Sequence, residues 1–138
     1  HKHLPEMQKV CGLENPPIFN PIVGPYYKGM AVSTAIVPSS LKKNVSASDL
    51  QEVLATHYAD SRFVKVLPYE EEPTLDAGSL DPTECNNTNE AHLYVFGKGK
   101  ALQVTVIIDN LGKGASGAAI QNMNIALGLD EGIGLTCS

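Results

Sequence analysis

The stretch "IIDNLGKGASGAAIQNMN", residues 107–124, decides how the chain is read. An apolar, strand-like run ends in it at Asp109. Gly112, Gly114 and Gly117 then follow in the spacing G-x-G-x-x-G, and a small-residue segment runs on as a helix. Such a spacing marks a dinucleotide-binding turn only inside a strand–turn–helix–strand unit, with an acidic residue about 20 residues further on. Asp130 and Glu131 stand at that distance, but no strand-like run precedes them. The independent dinucleotide site therefore fails. Two readings stay open: glycines that let a helix start close to a neighbouring backbone, or N–H groups at a helix start that, with Lys113 beside them, meet an anionic ligand held mainly by another domain.

Working backwards, "HLYVFGKGKALQVTVIID" (92–109) alternates as two strands around a turn at Gly97–Lys100. Strands flank its "GKGK", so it is no phosphate loop, which needs strand, G-x-x-x-x-G-K-[ST] and helix. Further strands are expected over Met30–Val37 and Arg62–Leu67. A helix is expected from an N-cap at Ser46 to Asp60, with Leu50, Val53, Leu54 and His57 on one face. Leu4–Val10 reads as one or two helical turns, and Ala115–Leu127 as the last helix, with Gly128 as its cap. The proline-rich run 14–30 holds an edge strand at Ile18–Val23, and Tyr69–Glu90 is a long acidic loop. Hairpins and long loops in place of regular crossover helices predict an α+β fold, its sheet mixed or mostly antiparallel with helices on one face.

The 138 residues amount to one domain, 43% hydrophobic and 18% charged, as in ordinary globular proteins. A net charge of −5 and a pI near 5.2 argue against nucleic acid or an anionic membrane as the main partner. No apolar run approaches the ~18 residues of a membrane span, and no signal-peptide pattern opens the chain, so a cytoplasmic location is expected. The first residue is His1 rather than Met, which is expected of a chain that begins part-way through a larger protein. Cys11, Cys85 and Cys137 are too few and too odd in number for a disulfide framework, and none has a nucleophile's local context. Glu6, Asp76, Asp81 and His92 show no metal-ligand spacing, so no metal is expected. His1 and His3, two apart in an extended segment, can face one cleft, where imidazole suits acid–base work; the plainer reading is a pair of exposed histidines. Lys28, in the turn "YYKG", can clamp a phosphate or carboxylate, or simply be solvated.

Four segments together resemble the N-acetyl-gamma-glutamyl-phosphate reductase family. "HKHLPE" (1–6) resembles its H-[RK]-H-x-P-E segment, and "PPIFNPIVGPYYKGM" (16–30) its F-x-P-x…-x-G-[IM] segment. "NNTNEAHLYV" (86–95) resembles its G-[ST]-N stretch, with Thr88 and Asn89 matching. Residues 107–124 resemble its AIDNLxKGAxGQAxQNxN signature, with Ala118 where the usual Gln would stand. The resemblance runs from His1 to about Leu135. It implies the C-terminal part of an arginine-biosynthesis oxidoreductase, with a fold similar to the C-terminal domain of glyceraldehyde-3-phosphate and semialdehyde dehydrogenases. It implies a dimer, or another homo-oligomer. The reaction takes N-acetyl-glutamyl 5-phosphate and NADPH to the semialdehyde and phosphate through a cysteine thioester.

Carried over, the resemblance makes His1 and His3 catalytic. Glu6, Lys28 and Asn89 become substrate-binding; Asn110, Lys113, Gly114, Gly117 and Gln121 become cofactor-binding. Residues 1–111 form a substrate-binding and dimerisation domain. Residues 112–138 form a helix and tail that pack on an N-terminal Rossmann domain, which holds most of the NADP. The family's nucleophile segment, G-C-[FY]-[AP]-T, and that domain are missing, so the chain alone is expected to be inactive. The rival reading is a stand-alone, non-catalytic ligand-binding or dimerisation module.

Overall fold

In a computed structural model describing residues 2–37, 39, 41–70, 78–98 and 101–137, the chain runs through α1 (Leu4–Cys11), β1 (Met30–Ile36), α2 (Ala47–His57), β2 (Val64–Val66), β3 (Ala91–Lys98) and β4 (Ala101–Ile108). A π-helical turn (Gly112–Ser116) then leads into α3 (Gly117–Ala126). The strands form one sheet in the order β1-β4-β3-β2. The β3–β4 hairpin at its centre is antiparallel, as is β1 against β4, while β2 lies parallel to β3. The sheet is therefore mixed and the fold α+β, as the sequence predicts.

Strand side chains point alternately to the two faces, and the register gathers Val95, Val104 and Leu102 on one of them. Against this face α2 lays Ala47, Leu50 and Leu54, with Ile36, Leu41 and Tyr69 completing the cluster. A capping box starts the helix: Ser46 Oγ accepts from the Asp49 amide at 3.1 Å, and Asp49 Oδ2 accepts from the Ser46 amide at 2.9 Å.

Two expectations change. Ile18–Val23 is extended but joins no ladder among the described residues, and Ile22 and Val23 lie almost fully exposed. Pro21 deprives that run of an N–H donor at its middle, and Pro16, Pro17 and Pro25 bound it on either side. The last helix begins earlier than Ala115, as a π-turn in which the amides of Gly114, Ser116 and Gly117 bond to carbonyls five residues back. Residues 71–77 of the acidic loop and the hairpin tip at 99–100 lie outside the described residues, as does His1.

Asp109 ties the end of β4 to three separate segments. It is 1% exposed. Its Oδ2 accepts from Lys28 Nζ at 2.8 Å and from the Asn87 amide at 2.9 Å; its Oδ1 accepts from the amides of Leu111 and Gly112, each at 2.9 Å. Burial opposes the ionised form, but Lys28 and the three amides outweigh it and hold the carboxyl well below the usual carboxylate range. Beside it, the Gly29 amide donates to Asn110 Oδ1 at 2.7 Å and Asn86 Nδ2 donates to the Lys28 carbonyl at 3.0 Å. Gly29 has φ +116°, and a Cβ there would overlap the Pro82 carbonyl, so only glycine fits this crossing.

Replacing Asp109 by Asn is expected to cost on the order of 3 kcal/mol in urea unfolding, because Lys28 loses its buried counter-charge. The carboxyl is depressed in the folded state, so its contribution is full above its unfolded value near ~4. It fades as pH falls from there toward the folded value. The acid loss of stability should therefore be steeper in the parent than in D109N. Ser46→Ala, which removes the cap, should cost about 1 kcal/mol at neutral pH, measured by urea unfolding.

Candidate functional site

The segments joined by Asp109 enclose a cavity of about 260 Å³. One wall is Lys28 with Asn87, Thr88 and Asn89; a second is Gly112, Ser116, Gly117 and Ile120; the third is the tail at Gly134–Thr136. Lys28 lies here because Asn87 turns toward it. With φ +66°, a conformation Asn tolerates better than most residues, Asn87 sends its amide to Asp109 and its Oδ1 to Lys28 Nζ, at 2.8 Å. Two of the ammonium's three donors are engaged in this way.

Asn89, 2% exposed, joins the three walls. Its amide donates to the Thr136 carbonyl at 2.7 Å, and its Nδ2 to Gln121 Oε1 at 3.1 Å. Its Oδ1 has no hydrogen-bond partner and lies where a Cβ on Gly117 would stand, which explains that glycine sterically. Gln121 Oε1 also accepts from Lys113 Nζ at 2.6 Å, while its Nε2 donates to Glu131 Oε2 at 2.8 Å. Lys113 Nζ sits 5.5 Å over the ring of the buried Phe63. Burial pulls its pKa below the ordinary lysine value, against the opposing charge of Glu131.

Of the residues singled out in the sequence, Lys28, Asn89 and Gly117 line the cavity. Gln121 and Lys113 stand behind it and hold Asn89, the π-turn and the tail together. Asn110 faces Gly29, and the Gly114 amide closes onto the Asp109 carbonyl at 2.9 Å. His3 is the exposed N-cap of α1 and Glu6 lies exposed in its first turn; neither lines the cavity. Sequence reasoning passed over Asn87, Asp109 and Ser116. The available signal was an acidic residue closing the apolar run of β4, where a carboxylate needs donors from elsewhere.

Cys85, in the acidic loop, is 1% exposed. Burial, with Glu84 and Glu90 adding to it and the His92 amide opposing, pushes its thiol up to about 11. That leaves little thiolate near neutral pH, in keeping with the lack of a nucleophile's local context around it. Among the described residues no group of three or more His, Cys, Asp and Glu is placed to hold a metal ion, and no helix is long and apolar enough to cross a membrane.

Comparison with known proteins places this geometry. The chain is 41% identical over 138 residues to N-acetyl-gamma-glutamyl-phosphate reductase 2 of Nostoc sp., covering 98% of this chain and 43% of that protein. It is 39% identical over 138 residues to the N-acetyl-gamma-glutamyl-phosphate reductase of Trichormus variabilis, covering 98% and 43%. With that of Burkholderia lata it shares 42% over 130 residues, covering 93% and 41%. The chain thus spans about two fifths of the length of the curated relatives it matches. The family described as "Semialdehyde dehydrogenase, dimerisation domain" matches residues 1–110. On that match, over most of its length and across the whole sheet, the chain belongs to the semialdehyde dehydrogenase dimerisation-domain family.

Proposed function

We propose that this chain is the C-terminal, substrate-binding and dimerisation part of an NADP-dependent N-acetyl-glutamyl-phosphate reductase of arginine biosynthesis. The observation that carries the reading is convergence. Lys28, Thr88–Asn89 and the glycine turn belong to three segments with reductase-like sequence patterns, and together they wall one polar cavity. At about 260 Å³ it accepts one end of a dinucleotide or a small acyl phosphate, not a whole dinucleotide. Most of the NADP then lies on a Rossmann domain outside residues 1–138. When bound, that cofactor supplies the hydride.

In this reading a cysteine outside the chain displaces phosphate from the acyl phosphate to give a thioester, the species then reduced to the aldehyde. Lys28 offers its remaining N–H to a phosphate or carboxylate oxygen and, with Asn89, orients the substrate. Gly117 and Gly114 keep the helix start free of side chains beside the cofactor. Asn110, Lys113 and Gln121 fix that turn. His1 and His3 stand at the reacting carbonyl, one of them as the acid–base residue, and Glu6 orients one of them or meets the substrate.

Residues 1–111 act as the substrate and dimer unit, and residues 112–138 return to pack on the cofactor domain. Met123, Ile125, Leu127 and Leu129 on and after α3 are each about half exposed, which suits a helix that docks on another domain better than a self-sufficient module.

The chain alone should give no phosphate-dependent reduction of NADP with N-acetyl-glutamate semialdehyde. Joined to the cofactor-binding part of a reductase, it should. In that complete enzyme His3→Asn should lower kcat by roughly 10²–10⁴-fold with the thermal unfolding midpoint unchanged. Turnover by the isolated chain, or full activity of H3N, would overturn the respective assignment.

A further inference from the structure

We propose that His92 is a positioning residue for the cavity: a clasp that closes the base of the loop carrying Asn87, Thr88 and Asn89. His92 lies on β3, on the sheet face opposite α2, with Ile107 of β4 as its register partner. Its Nδ1 stands 2.5 Å from Glu84 Oε1 and its Nε2 stands 3.1 Å from Glu90 Oε2. Glu84 and Glu90 bracket the cavity-lining residues, so one imidazole joins both ends of the loop. Glu90 is itself 1% exposed and its other oxygen pairs with Lys65 Nζ of β2 at 2.8 Å. Tyr94 OH, two residues along β3, donates to Glu84 at 2.7 Å.

The chemistry of the clasp is fixed by its donors. Ionised carboxylates only accept hydrogen bonds, so both contacts exist together only while the ring carries both protons. Loss of one turns a ring lone pair toward a carboxylate at one end of the loop. The groups facing the ring are then Glu84, Cys85 and Glu90 from the loop, Lys65 from β2 and Tyr94 from β3, with apolar Ile107 on β4. Of these, the carboxylates repel a ring lone pair and Lys65 is already engaged by Glu90. The base of the loop opens, and Asn87 and Asn89 lose their fixed distance from Asp109 and Thr136.

The inference rests on the cavity being the ligand site, and amide exchange tests it whatever the cavity binds. In the parent chain the Asn87 and Asn89 amides should be protected at least tenfold more strongly than in His92→Gln and His92→Phe, all measured at one pH. The Leu93 and Val104 amides of the hairpin should be protected alike in all three. Parent-like protection of Asn87 and Asn89 in H92F would overturn the proposal, as would an equal loss throughout the hairpin.

Discussion

A carboxylate that almost no water reaches organises this molecule. Taking a charge out of water is costly, and the cost is met only where the remaining lone pairs find donors of good geometry. Asp109 finds four, and they come from three places far apart in the sequence: the Lys28 turn, the Asn87 loop and the start of the last helix. Each donor satisfies the carboxylate only if its segment arrives in one position, so the charge converts a desolvation penalty into a geometric specification. The hydrophobic cluster under α2 could not do this. Ala47, Val95 and Leu102 pack at the far end of the hairpin and say nothing about where the loops meet.

The same carboxylate explains the unusual helix start. With the Leu111 and Gly112 amides turned to Asp109 Oδ1, the backbone leaves β4 through a wider turn, and bonds close at five residues instead of four. The glycines follow from that path rather than from a nucleotide fingerprint. A Cβ on Gly112 would press on the Asp109 carboxylate and the Thr88 carbonyl, and one on Gly117 would overlap Asn89 Oδ1. The first of the two readings left open by the sequence, close backbone approach, is therefore what the fold contains. It does not exclude a ligand, because the approach itself builds the cavity wall.

This separates what was legible in the sequence from what was not. The β3–β4 hairpin, α2 and β1 were readable because alternation, a Ser46 cap and bounding turns are local signals. The strand expected at Ile18–Val23 failed for a local reason too, since four prolines outweigh a short apolar pattern. The site was only half readable. Lys28 stood out by type and context and Asn89 only by resemblance, but the burial of Asp109, Cys85 and Glu90 depends on contacts across tens of residues. Lys113 shows the limit most plainly: beside three glycines it looks like an anion-binding lysine, and in the fold its ammonium lies over Phe63 and on Gln121.

The surface supplies the last step. A compact monomer of 14.7 kDa exposes roughly 6,900 Å². This chain exposes 9621 Å². The excess, about 2,700 Å², is somewhat more than the ~1,000–2,500 Å² that each partner gives to the larger permanent interfaces. It is not spread as single apolar residues of the ordinary kind. Ile18, Ile22, Val23 and Tyr27 lie exposed along the extended segment before β1, and Met123, Ile125, Leu127 and Leu129 along the last helix. The two patches flank the Asp109 tie on either side in the sequence. A chain that commits a buried charge to fixing three loops, while leaving apolar surface uncovered beside them, has an ordered site and an unfinished exterior. The carboxylate's four bonds all lie within the chain, so the geometry of the cavity wall needs neither a second copy nor a further domain to form.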